Sequence, residues 1–82
     1  MMAGVCLGRI VRYVIPDDST FKNYKQEPVA GTVVPAIIVG LEEDGSVNLQ
    51  TFYNAPGIGF WNNVRHSPGK ESGTWHFPER VE

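Results

Sequence analysis

The sequence predicts an all-β domain, a small, five-stranded, partly open barrel of the SH3-like kind, with an OB-like barrel as the second choice. Three observations predict it. No window of about eleven residues carries a sustained helical stripe. Alternating and β-branched runs recur along the chain, bounded by Gly, Pro, Asn and Asp. One long polar stretch follows the first run, whereas the later connections are short, and no helix falls between the third and fourth runs as an OB-type barrel would need. At 82 residues, positions 1–82 make a single domain.

Residues 8–15 read as the first strand, with Ile10, Arg12 and Val14 on one face and Val11, Tyr13 and Ile15 on the other. Pro16-Asp17-Asp18 ends it, because proline donates nothing to a ladder and Asp favours turns. A long loop runs from Asp17 to about Val33; within it, Ser19 or Thr20 is placed to cap one helical turn that would bring Phe21 beside Tyr24 before Gln26-Glu27-Pro28 closes it. Loops of this length inside small domains are usually functional or anchored to the body. Pro35 opens the second strand, 36–41, whose continuous apolar run suits the centre of the sheet. Glu42-Glu43-Asp44-Gly45 returns the chain as a hairpin, Gly45 taking positive φ at no steric cost. The third strand, 46–53, puts Val47, Leu49, Thr51 and Tyr53 on one face and Asn48, Gln50 and Phe52 on the other. Asn54-Ala55-Pro56-Gly57-Ile58-Gly59 breaks the pattern, 60–65 is a fourth strand, 66–73 a turn-rich loop, and 74–77 a fifth strand stopped by Pro78.

Composition excludes several functions. The chain is 41% hydrophobic and 20% charged, in the globular range, and its longest apolar run, Ala36-Ile37-Ile38-Val39, is far below the roughly 20 residues of a membrane span. The opening seven residues carry no basic residue and do not read as a signal peptide. A formal charge of −2 with dispersed Lys and Arg argues against duplex nucleic acid, and it is too weak for a DNA mimic. One cysteine makes no internal disulfide, which fits the cytoplasm, with Cys6 expected as a small apolar filler. Membranes and duplex nucleic acid are thus not expected as partners. Stability in so small a domain is marginal, and a homo-oligomer formed by edge strands or apolar faces is the expected remedy.

No catalytic set is legible. Ser67 and His66 are sequence neighbours that a strand points to opposite faces, no motif surrounds Ser72 and His76, and Gly57-Ile58-Gly59 lacks the helix of a phosphate loop. The carboxylates of Asp17-Asp18 and Glu42-Glu43-Asp44 fall in turns. His66, His76 and Cys6 fall short of the four Cys/His ligands of a structural zinc site. The expectation is a protein without catalytic residues, metal or cofactor.

The C-terminal third is distinctive. Phe52, Tyr53, Phe60, Trp61, Trp75 and Phe77 are interleaved with Asn54, Asn62, Asn63, Arg65, His66 and His76. Rings beside amide, imidazole and guanidinium donors suit a planar, polar, anionic ligand; the competing reading is that the rings form the core of a small barrel. Alternation groups Trp61, Asn63 and Arg65 on one face, with Phe60, Asn62 and Val64 inward and Asn48, Gln50 and Phe52 as an adjoining wall. On 74–77 it puts Trp75 and Phe77 opposite His76, which leaves one of the two sides outward. The candidate ligand-binding residues are therefore Trp61, Asn63, Arg65, Trp75, His76, Gln50 and Phe52, with Trp75 and Trp61 stacking and Arg65 and His76 toward phosphate.

Four segments carry a likeness: Gly8-Arg9-Ile10-Val11-Arg12-Tyr13-Val14, Pro35-Ala36-Ile37-Ile38-Val39, Val47-Asn48-Leu49 followed by Phe52, and Gly73-Thr74-Trp75-His76-Phe77-Pro78-Glu79. Together they resemble a group of small phage and prophage proteins, most specifically in the Gly-Thr-Trp-His-(aromatic)-Pro-Glu ending. The likeness covers most of the chain outside 17–33 and 54–59. It implies phage origin and the cytoplasm of an infected bacterium, and it implies no activity. In that setting the expected function is a non-enzymatic module that sequesters a nucleotide or cyclic-nucleotide signal of antiviral defence, a sponge working by tight binding without turnover. The alternative is a structural or protein-interaction module, in virion assembly or against a host protein.

Overall fold

The computed structural model describes residues 4–55 and 57–78. Five strands, β1 (Ile10–Val14), β2 (Val33–Leu41), β3 (Val47–Thr51), β4 (Gly59–His66) and β5 (Thr74–His76), form a closed barrel in chain order. The all-β expectation and the five strands hold; the barrel is closed where the sequence suggests a partial opening. Closure rests on β5, which pairs antiparallel with β1 (Tyr13 opposite Trp75) and parallel with the end of β4 (His66 opposite Trp75). A three-residue strand thus seals the seam with both of its edges occupied.

Local chemistry explains the other joins. Gly45, at φ 89°, completes a tight turn in which its amide donates to the Glu42 carbonyl (3.1 Å) and the Glu42 amide donates to the Ser46 carbonyl (3.0 Å). β2 starts at Val33, two residues before the expected Pro35. Pro35 is tolerated inside it because its carbonyl faces the β3 side, accepting the Phe52 amide at 3.0 Å, and its missing N–H points the same way, where β3 has already ended.

The core is Val11, Tyr13, Ile15, Val34, Ala36, Ile38, Val47, Leu49, Val64 and Trp75, joined by Val29 from the long loop. Val29 anchors that loop, and Ile15 holds its far end through bonds to Gly31 and Thr32. The loop contains no helical turn. Asn23 Oδ1 accepts the Lys25 and Glu27 amides (2.9 and 3.1 Å), so the side chain takes donors that a helix would need, and Lys22 instead bridges to Pro28 as a small hairpin. Cys6 is exposed, correcting its expected place as a filler: it lies in an outward turn closed by the Arg9 amide on its carbonyl. Among the described residues no helix is long and apolar enough to cross a membrane.

Candidate functional site

The seven residues singled out from the sequence do not converge. They occupy four places, and a β-bulge explains much of the dispersal. Val47 pairs with Val64 while Leu49 pairs with Trp61, so β4 spends one more residue than β3 across that interval. The extra residue lies at Asn62–Asn63, and Asn63 adopts φ 52°. Such a bulge resets which side each residue faces. Trp61 and Val64 both turn inward, Phe60 turns out, and the expected face of Trp61, Asn63 and Arg65 is split.

Asn63 and Arg65 belong to the support of the β2–β3 turn. The Asn63 amide donates to Asn48 Oδ1 (3.0 Å) and its Nδ2 to Ser46 Oγ (3.2 Å). Arg65 reaches Asp44 at 3.3 Å, both side chains being well exposed. The buried Ser46 hydroxyl and amide donate to Asp44 Oδ1 (2.6 and 2.9 Å). These two bonds from Ser46, helped by the Arg65 charge, hold the Asp44 carboxyl below its ordinary value of 3.8. A carboxylate lowered in the folded state stabilises the fold above its unfolded pKa, and that contribution disappears as pH falls through the folded pKa. The expected result is an NMR titration of Asp44 with its midpoint below 3.8; a midpoint at or above 3.8 would show that Ser46 does not hold the carboxylate in solution.

Trp75 is 1% exposed and His76 5% exposed. Both sides of β5 are therefore covered, which corrects the expectation that one would look outward. Trp75 fills the core at the seam with His66 4.6 Å away and Phe77 5.1 Å away, ring centre to ring centre. Phe77 is half-buried, with Arg9 5.4 Å above its ring. Neither Trp75 nor His76 presents a ring face to a ligand. The Trp75 Nε1 has no hydrogen-bond partner among the described residues. Glu79, the last residue of the motif, lies outside the described residues, as does Pro56 of the 54–59 loop. Gln50 and Phe52 point outward, on the same outer surface as Phe60.

Trp61 is the one expected stacking residue that joins an aromatic group open to solvent. Its Nε1 donates to the buried Thr51 Oγ1 at 2.9 Å, and its ring lies 5.0 Å from Tyr13. Burial pushes the Tyr13 phenol up to about 12, so this wall stays neutral at ordinary pH. Phe21, from the long loop, meets Trp61 edge-on at 5.4 Å and stacks on Tyr53 at 5.8 Å with planes 19° apart. Gly59 sits beneath, where a Cβ would lie 2.5 Å from Thr51 Oγ1 and 3.1 Å from Trp61 Nε1. Phe21 remains 40% exposed. Farther along the loop, Tyr24 is exposed with Lys25 Nζ 5.7 Å from its ring, and the Tyr24 amide donates to the Asn54 carbonyl, tying the loop to the far side of the group. Phe21 and Tyr24, expected to meet on a helical turn, and Lys22 and Lys25 are not among the ligand-binding residues expected from the sequence. The signal was present, since aromatic and basic residues alternate through Phe21-Lys22-Asn23-Tyr24-Lys25 in a loop longer than connection alone requires.

Comparison of the chain with protein-family models, with curated proteins and with solved structures finds no match. The geometry therefore carries the functional argument. Among the described residues no three His, Cys, Asp or Glu side chains group as metal ligands would.

Proposed function

We propose that this domain is a phage-encoded, non-enzymatic binding module that holds a nucleotide, and that it acts in the host bacterial cytoplasm by sequestering a linear or cyclic nucleotide signal of antiviral defence. The observation that carries the reading is the partly exposed Phe21 ring, backed by Tyr53 and Trp61 and carried on a loop with Lys22 and Lys25. A ring held rigidly by two others loses little freedom when a base stacks on it, and lysines on the same loop supply charge for phosphate. Trp75 and His76 drop out of the ligand set, and Asn63 and Arg65 serve the turn.

Calorimetric titration with a pool of mono-, di- and cyclic nucleotides tests the reading. Stacking on an aromatic is worth about 1–3 kcal/mol per base, so Phe21→Ala should weaken binding by roughly 5- to 150-fold with the fold intact. Lys22→Gln and Lys25→Gln should each lower affinity and flatten its salt dependence. A bound nucleotide should also raise thermal stability by about 4 kcal/mol at a thousandfold excess over Kd. No binding across the pool, or affinity indifferent to Phe21→Ala, refutes the assignment. The second reading, a protein-interaction module in virion assembly or against a host protein, draws support from the exposed apolar outer face of the barrel.

A further inference from the structure

We infer that the ligand of the Phe21 site carries two bases, as a dinucleotide does, one stacking on Phe21 and the other on Tyr24. The inference rests on the nucleotide reading and names the ligand class within it. Residues 21–25 repeat one unit at a spacing of three, a ring followed by a lysine: Phe21-Lys22, then Tyr24-Lys25. Both rings are open to solvent, Phe21 at 40% and Tyr24 at 56%, and both lysines are exposed. Among the described residues neither lysine forms an ion pair. Three residues of chain keep the Cα atoms of Phe21 and Tyr24 within about 10 Å, a span that two bases on one sugar–phosphate link can bridge. Stacking needs only a ring face and is tolerant of the base, while each lysine supplies charge for a phosphate.

The loop holds the two units in a fixed relation. Lys22 bridges to Pro28, the Asn23 amide donates to the Glu27 carbonyl (2.9 Å), and the Gln26 amide donates to the Asn23 carbonyl (2.9 Å), so 21–29 is a closed hairpin. Both units then meet one segment of the barrel. Phe21 stacks on the Tyr53 ring, and the Tyr24 amide donates to the carbonyl of the next residue, Asn54 (2.6 Å). Rings placed before a ligand arrives lose little freedom when it binds. Tyr24 differs from Phe21 in what its ring does for the fold. Phe21 lies against Tyr53 and Trp61, whereas the Tyr24 ring packs on no other aromatic ring among the described residues, and its backbone amide makes the tie. A single base stacked on Phe21 leaves the second ring and its lysine unused. A third base finds nothing to stack on, because Gln26-Glu27-Pro28 supplies neither ring nor cation. The Glu27 carboxylate, held by Asn23 Nδ2 at 3.1 Å, ends the cationic stretch.

Calorimetric titration of the full chain with adenylate and uridylate probes tests the inference: the mononucleotide, the linear dinucleotide, the cyclic dinucleotide and the linear trinucleotide of each base. At least one dinucleotide should bind about 5- to 150-fold tighter than the mononucleotide of the same base, the worth of one further stacked base. The trinucleotide should bind no tighter than the linear dinucleotide. Tyr24→Ala, its fold checked by circular dichroism, should bring the dinucleotide down to the affinity of the mononucleotide and leave the mononucleotide unchanged. Tyr24→Phe, which keeps the ring, should retain the difference. Equal affinities for the mononucleotide and both dinucleotides, or a difference that survives Tyr24→Ala, overturn the inference while the nucleotide reading stands. A trinucleotide that gains as much again overturns the limit of two bases and with it the proposal. Binding of none of the probes overturns the nucleotide reading and this inference together.

Discussion

Trp75→Ala should abolish the cooperative unfolding transition, or lower stability by about 3–5 kcal/mol where a transition survives. An 82-residue domain holds on the order of 4–12 kcal/mol in all, so this one change removes a large fraction of it. The reason lies in where the residue stands. Trp75 is buried in the core and is also the register partner of both Tyr13 and His66, so the residue that fills the centre also closes the barrel. Truncation leaves a cavity in the core between strands that are paired on both sides and cannot collapse into it. Trp75→Phe, which keeps a ring, should cost less. Denaturant unfolding followed by circular dichroism measures both. A loss under about 1 kcal/mol for Trp75→Ala would place the ring at the surface and return it to the ligand set.

Gly59→Ala is the second large effect, from a change of one methyl group. The new Cβ meets Thr51 Oγ1 at 2.5 Å and Trp61 Nε1 at 3.1 Å. Thr51 is fully buried and its χ1 is stiff, so the hydroxyl has little room to give. Overpacking of this kind costs about 1–3 kcal/mol, and loss of the Trp61–Thr51 hydrogen bond adds about 1. Thr51→Ala in the same chain removes the clashing atom, so the double variant should be less destabilised than the sum of the singles. Additive losses would mean that Gly59 is required for some reason other than Thr51. Because Trp61 backs Phe21, nucleotide affinity should fall along with stability in Gly59→Ala.

Much of the fold was legible residue by residue. Glu42-Glu43-Asp44-Gly45 specifies its turn through glycine's access to positive φ, and the buried Val47, Leu49 and Thr51 follow from period-two alternation alone. Val29 anchors a loop whose length already called for an anchor. The candidate site was less legible. Alternation was carried from Trp61 to Arg65 as though β4 were regular, and a bulge at Asn62–Asn63 exists only relative to the strand opposite. Trp75 and His76 were separated into an inner and an outer residue, yet both are covered, because β5 lies between two strands and has no open side. Phe21 reaches Tyr53 and Trp61 from more than thirty residues away, a contact to which no local pattern refers.

The elements follow from local chain chemistry: five strands, a tight hairpin, a long anchored loop, and the absence of any strong charge bias. These depend on dihedral preferences and on burial of one side of a pleat, which are properties of neighbouring residues. Closure, the facing of β4, the burial of Trp75 and the exposed row from Ile10 to Phe60 arise from contacts between distant strands. Each of these is a statement about which residues lie opposite one another, and register is set by the summed packing of strands distant in the chain.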